Sequence, residues 1–267
     1  MLEIVNLLTV GITLYNIKQH IPTDIPVHNQ FIPPEKLKSQ KWLNEVNDWT
    51  KKQKMLINEN KTKSMIFNFT KKYQFATRLK LNDQNIETLN KTKLLGTIVT
   101  DDLRWEENTK NIVKKANARM ELLRRVSTFS PSDEDMKHIY ILFVRSLLEQ
   151  SASVWHSSLT EQDSEALERV QKSAVKIILG NRYIGYQKSL QKLDLEMLHE
   201  RREKICLKFA QKCLKNPKTK DWFPLNVKSH QMTTRKTEKY KVQNAKTERY
   251  RKSPITYMQH LLNEYED

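Results

Sequence analysis

The chain has 267 residues, 38% of them hydrophobic, a mean hydropathy of −0.72 and only four glycines. That length holds one large domain or two small ones with real cores. So few glycines exclude a Gly-rich nucleotide-binding fold and favour a mostly helical chain. A formal net charge of +16 and a pI near 9.7 point to a polyanionic partner, nucleic acid before a membrane surface.

The charge is uneven. Residues 201–252 hold 17 Lys and Arg against 4 Asp and Glu, which is most of the excess. Over 228–252 apolar residues are sparse, so a phosphate-contacting surface and a solvated tail are equally open readings. Over 201–215 the charges ride on a helical pattern, which favours a surface. The two cysteines, Cys206 and Cys213, suit a reducing compartment rather than a disulfide framework. Met1 to Leu14 is apolar but has no basic start and is too short to cross a bilayer. An intracellular protein, nuclear or cytoplasmic, is expected, with no membrane partner.

Pro22, Pro26, Pro33 and Pro34 make residues 20–34 a connecting loop. A helix is predicted over 36–55, with Trp42, Val46 and Trp49 spaced to share a face. Met55-Leu56-Ile57 and Ser64 to Phe69 flank a polar turn and read as strands. Residues 75–81 and 94–100 are further strand candidates, joined through Asn82-Asp83-Gln84-Asn85, and all are expected in one sheet.

After Trp105 the pattern is helical. Ile112, Val113, Ala116, Met120 and Leu123 form a stripe ending in Arg124-Arg125, where cations suit a helix C-terminus. Ser130-Pro131-Ser132-Asp133 reads as a helix start, with a capping serine and proline at the first position. Ile139 to Leu148, apolar almost all round, is expected as the buried central helix. Thr160 and Asp163 open a helix carrying Leu167, Val170, Ala174 and Ile177, closed by Gly180. Another runs about 196–215 through Leu198, Ile205, Phe209 and Leu214. Pro217 and Pro224 are expected to end the packed region, with one last helix through Met258, Leu261 and Leu262. The predicted fold class is α+β: a partial sheet with one helix (1–105), a helical bundle (106–216) and a basic, partly extended tail (217–267).

Certain strings carry a resemblance. Asn58, Lys61 and Thr62 form an N-x-x-K-T turn; Leu95-Gly96 and Leu103-Arg104-Trp105 follow. Then come Leu122-Leu123-Arg124-Arg125, Ile139-Tyr140, Leu148-Glu149 with Val154-Trp155, Leu167 to Lys172, and Leu198 to Arg202. In this order they resemble the late palm and thumb of reverse transcriptases of the non-LTR retrotransposon kind, with Gln150 where the family usually has an aromatic. The resemblance covers residues 58–202, and no single string in it is specific. It implies RNA-directed DNA synthesis with two Mg²⁺ ions held by palm aspartates. The family's Y-x-D-D motif would precede these strings, and the chain opens at Met1-Leu2-Glu3 without it. The expectation is a truncated reverse transcriptase that binds RNA, DNA or their hybrid but does not polymerise alone. It carries no metal site and no small-molecule cofactor in this chain.

The same resemblance makes Lys61 a candidate acid for the leaving pyrophosphate, against the alternative of an exposed turn lysine. It brings Gly96 close to a primer strand, against a glycine that merely begins a twisted strand. It also makes Arg124, Arg125, Lys172, Lys176, Arg182, Arg201 and Arg202 candidate phosphate contacts of a thumb. Asp101-Asp102 reads as a solvated turn, not a metal pair. His199, Cys206 and Cys213 are spaced by seven, about 10.5 Å apart along a helix, too far to share a zinc ion. Trp42, Trp49, Trp105 and Trp155 read as core rather than as base-stacking platforms. A non-enzymatic nucleic-acid-binding module and an unselected retrotransposon relic stay open beside the truncated polymerase.

Overall fold

A computed structural model describes residues 12–15, 38–67, 79–226, 239–242 and 244–265. The proline-rich loop expected over 20–34, and most of the strand expected over 75–81, lie outside the described residues. The fold is mixed α+β and mainly helical, and the chain divides into two units, Met1–Arg104 and Trp105–Asp267.

In the first unit, β1 (Ile12–Tyr15) pairs in parallel with β2 (Lys63–Ile66), and β2 in parallel with β5 (Glu87–Thr88). The other strands do not join this sheet. β3 (Lys80–Leu81) and β4 (Gln84–Asn85) form one hairpin, β6 (Lys91–Leu94) and β7 (Thr97–Thr100) another. The single expected sheet is therefore three small ones. The cause is local: Asn82 and Asp83 have φ of 46° and 66°, Leu95 and Gly96 of 47° and 90°. Two consecutive residues at positive φ make the tight reversal that closes a two-residue hairpin. So 94–100 is not one strand but the end of β6, a turn and β7. Met55 to Ile57 is not a strand either, and Leu56 is exposed.

Helix α1 spans Lys38–Lys52, yet its inward face is not the tryptophan face. It buries Ser39, Gln40, Leu43 and Asn47 and leaves Trp49 56% exposed. Hydrogen bonds to the β3–β4 hairpin choose that face. Gln40 Nε2 donates to Lys80 O at 2.7 Å, and Lys80 N donates to Gln40 Oε1 at 2.9 Å, so the amide acts as a short strand edge. Asn47 Nδ2 donates to Asn82 Oδ1 at 2.8 Å. Leu43 then packs with Leu81 and Ile86.

The second unit is a helical bundle. Helix α2 (Glu106–Ser127) buries Ile112, Ala116, Met120 and Leu123 and packs along α6 (Glu161–Leu179). Between them one helix runs through α3 (Asp133–Ile139), a π-helical segment Tyr140–Arg145 and α4 (Ser146–Glu149). Its start lies two residues later than expected: Ser132, not Ser130, is the cap, its Oγ accepting from Asp135 N at 3.1 Å. Pro131 therefore precedes the cap. The helix is also not apolar-buried all round. Met136, Tyr140, Val144 and Leu148 point inward at a strict spacing of four, while Leu142 is 67% exposed. A widened π turn keeps an every-fourth-residue row on one face, where a regular α-helix would let it drift.

After α5 (Ala152–Trp155), Thr160 caps α6 through Asp163 N, as its capping box requires, and Gly180 closes it at φ 51°. Then follow α7 (Tyr186–Lys192) and α8 (Leu198–Lys215). The buried face of α8 is Leu198, Arg202, Cys206, Ala210 and Cys213, rotated from the expected Ile205/Phe209 stripe. Packing does not stop at Pro217 or Pro224. Phe223, Tyr240 and Met258, Leu261 and Leu262 of α10 (Pro254–Tyr265) form one cluster with Cys206, Ala210 and Cys213. Asn263 fastens it by accepting from Tyr240 N at 2.8 Å and donating to Tyr240 O at 2.9 Å. A four-residue helix, α9 (Glu248–Arg251), precedes α10.

Candidate nucleic-acid interface

The N-x-x-K-T turn is built from its own side chains. Asn58 Oδ1 accepts from Lys61 N at 3.0 Å, and Thr62 Oγ1 donates to Asn58 O at 2.8 Å. Asn58 and Thr62 thus hold a 3-10 turn ahead of β2, and Lys61 is left exposed to solvent. Lys63 is taken by Glu87 across the parallel pair, 2.6 Å away. Gly96 sits in the hairpin turn at φ 90°, a conformation that itself demands glycine. Asp102 is occupied locally: its Oδ1 accepts from Thr100 Oγ1 at 2.7 Å and from Arg104 N at 3.1 Å.

The seven cations expected on one surface of the helical unit separate into three kinds. Arg124 and Arg125 are exposed and lean on the same carboxylate, Glu121, at 3.3 and 3.5 Å. Lys172 and Lys176 are exposed one turn apart on α6, with Lys176 Nζ 5.5 Å from the Tyr183 ring centre. The remaining three are committed elsewhere. Arg182 grips Asp133 with both nitrogens, at 2.8 and 2.5 Å, which ties the start of α3 to the turn after α6. Arg201 Nε is bound to Glu149, which also takes Arg145 at 3.4 Å.

Arg202 is fully buried and does not belong to any surface. Its Nε donates to His156 Nδ1 at 3.3 Å and its guanidinium lies 5.8 Å from the Trp155 ring. Nη2 donates to Ser164 Oγ at 3.4 Å, and Nη1 has no hydrogen-bond partner among the described residues. Its α-helical neighbourhood explains the sequence strings. Glu168 accepts from Leu198 N at 3.1 and 3.2 Å and binds the Tyr186 hydroxyl. Gln171 accepts from Tyr140 Oη at 2.6 Å and donates to Glu196 O at 2.9 Å. The strings around 140, 149, 155, 168 and 198 therefore meet as polar joints between helices. Burial pushes the Tyr140 hydroxyl well above its usual range, and pushes the Cys206 thiol up to about 12.

The expected cation set omitted residues that the tertiary structure exposes. Arg169, three before Lys172, shares its outer face. On α8, Lys208, Lys212 and Lys215 are exposed and form no ion pair among the described residues. Their spacing of four and three was a legible signal, obscured because the expected buried stripe was rotated.

Among the described residues no group of three His, Cys, Asp or Glu could hold a metal ion, and no helix is long and apolar enough to cross a membrane. Comparisons with family models, curated proteins and solved structures find no match to this chain.

Proposed function

We propose that this chain is the late-palm and thumb part of a reverse transcriptase of the non-LTR retrotransposon kind, and that its role is to hold primer–template duplex. The observation that carries the reading is the order of the strings from Asn58 to Arg202. It is supported by exposed cations on the outer face of α6, Arg169, Lys172 and Lys176, none of them spent on an ion pair among the described residues. Cations of this kind neutralise phosphates without reading bases, which suits a clamp that follows any sequence.

In this reading the bound partner is an RNA–DNA hybrid or other duplex. Two-metal phosphoryl transfer needs aspartates in the palm, and none of the strings quoted is an aspartate motif. The role assigned is therefore binding, not synthesis. Fluorescence anisotropy with a labelled RNA–DNA hybrid tests it. The full chain should bind at low salt and release steeply as salt rises, and the R169Q/K172Q/K176Q variant should bind at least tenfold more weakly. No binding at low salt overturns the reading. Primer extension by the purified chain with Mg²⁺ would overturn the assignment to binding alone.

A further inference from the structure

We infer that the outer face of α8 is a second phosphate-contacting ridge, made of Lys208, Lys212 and Lys215. It deepens the proposed duplex binding and rests on that reading.

The ridge is defined by what each neighbouring charge is doing. Lys204, first in the row, is bound to Glu196. From Lys208 onward no carboxylate of the described residues answers the lysines. Glu203, half-buried on the same helix, receives hydrogen bonds from Tyr257 Oη at 3.3 Å and Tyr265 Oη at 2.8 Å. Arg251 and Lys252 share Glu248. Asp221, next to Lys220 in the chain, is exposed. Lysines three and four apart on a helix face repel one another. An unanswered row of them weakens α8 in isolation and is relieved when an external polyanion binds.

The geometry selects the polyanion. Lys208 to Lys215 spans about 10 Å of helix axis, and B-form DNA presents one charge per about 1.7 Å of its axis, so several phosphates lie within reach. A membrane-surface helix would need an apolar face free to enter the lipid. That face of α8 is already occupied: Cys206, Ala210 and Cys213 are packed against α10. Only Phe209 breaks the polar surface, at 39% exposure. Lysines are point charges without the planar fork of arginine, so the contact should be indifferent to base sequence.

The experiment compares the full-length chain with K208Q/K212Q/K215Q and K208R/K212R/K215R by anisotropy, using the same RNA–DNA hybrid across a KCl series. Three lost phosphate contacts should make the slope of log K against log salt shallower by about 2.7, with at least a tenfold loss of affinity at about 100 mM KCl. The arginine variant should keep both. Unchanged melting of all three proteins establishes that the exposed substitutions leave the fold intact. Native binding with an unaltered slope in the glutamine variant overturns the ridge while leaving duplex binding by α6 standing. No binding by the native chain removes the parent reading itself. If the ridge lysines instead govern co-sedimentation with phosphatidylserine vesicles and the hybrid does not compete, the ridge is a lipid surface and the inference fails.

Discussion

Arg202 Nε donates a hydrogen bond to His156 Nδ1 across 3.3 Å, joining α8 to the turn that follows α5, with both residues buried. An accepting Nδ1 makes His156 the neutral tautomer that carries its proton on Nε2. A cation therefore sits in the interior with a neutral imidazole as its nearest partner. His199 stands edge-on 5.0 Å from the same ring and Tyr257 5.9 Å from it. Burial first, then the Arg202 charge, then His199 lower the His156 pKa from 6.5 to about 3.

Acid should therefore weaken the helical unit. The folded pKa lies below the unfolded one, so on acidification the unfolded chain takes up a proton that the folded chain refuses. The His156 contribution is complete above pH 6.5 and is lost as pH falls from 6.5 towards 3. The loss approaches about 1.4 kcal/mol per pH unit below the unfolded value. Urea midpoints at pH 7, 6 and 5 measure it. His156→Gln should flatten the pH dependence in this window, and an equal fall in both proteins would refute the assignment.

Replacing Arg202 by methionine should cost little stability or raise it. The side chain has no carboxylate within ion-pair distance among the described residues, and Nη1 is buried without a partner. An apolar chain of similar length removes the desolvation penalty of that charge, several kcal/mol for an ion held away from water. Nor should hybrid affinity change, because a buried group touches no phosphate. A loss above about 2 kcal/mol in urea unfolding would show that the Trp155 and His156 contacts outweigh desolvation.

Glu168→Ala should be the opposite case. Its carboxylate terminates α8 at Leu198 N, binds the Tyr186 hydroxyl and meets Gln171 Nε2 at 3.4 Å. Truncation leaves a helix-start N–H and a half-buried hydroxyl without their acceptor, for about 2–4 kcal/mol in total. Thermal unfolding followed by circular dichroism reads this directly, and a shift within error would remove Glu168 from its structural role.

Leu95→Asn should stabilise the β6–β7 hairpin. Leucine holds φ 47° there while 57% exposed, so little packing compensates the strain. Asparagine tolerates left-handed backbone, and Asn-Gly is the favoured pair for this turn. A gain of about 0.5–1 kcal/mol is expected for the first unit. Gly96→Ala should move stability the other way, since the turn also needs positive φ at that position.

Local signals were legible where one residue type meets one backbone requirement. The Thr160–Asp163 capping box, the Asn58–Lys61 turn and the Ile112/Ala116/Met120/Leu123 stripe each depend on neighbours within a few residues. The tryptophan face of α1 and the outward placement of Arg202 were misread for a common reason. Each depends on a partner distant in sequence: Gln40 with Lys80, Asn47 with Asn82, Arg202 with His156.

The sequence by itself determined the α+β class, the run of helices after Trp105 and the basic character on which the proposed binding of a polyanion rests. Only the tertiary structure decided which cations remain at the surface. Lys and Arg all carry the same charge in a sequence, but an arginine is spent when a carboxylate or a buried imidazole lies within reach. Arg182, Arg201 and Arg202 found such partners across 49, 52 and 46 residues. Among the described residues Lys172, Lys208 and Lys212 did not.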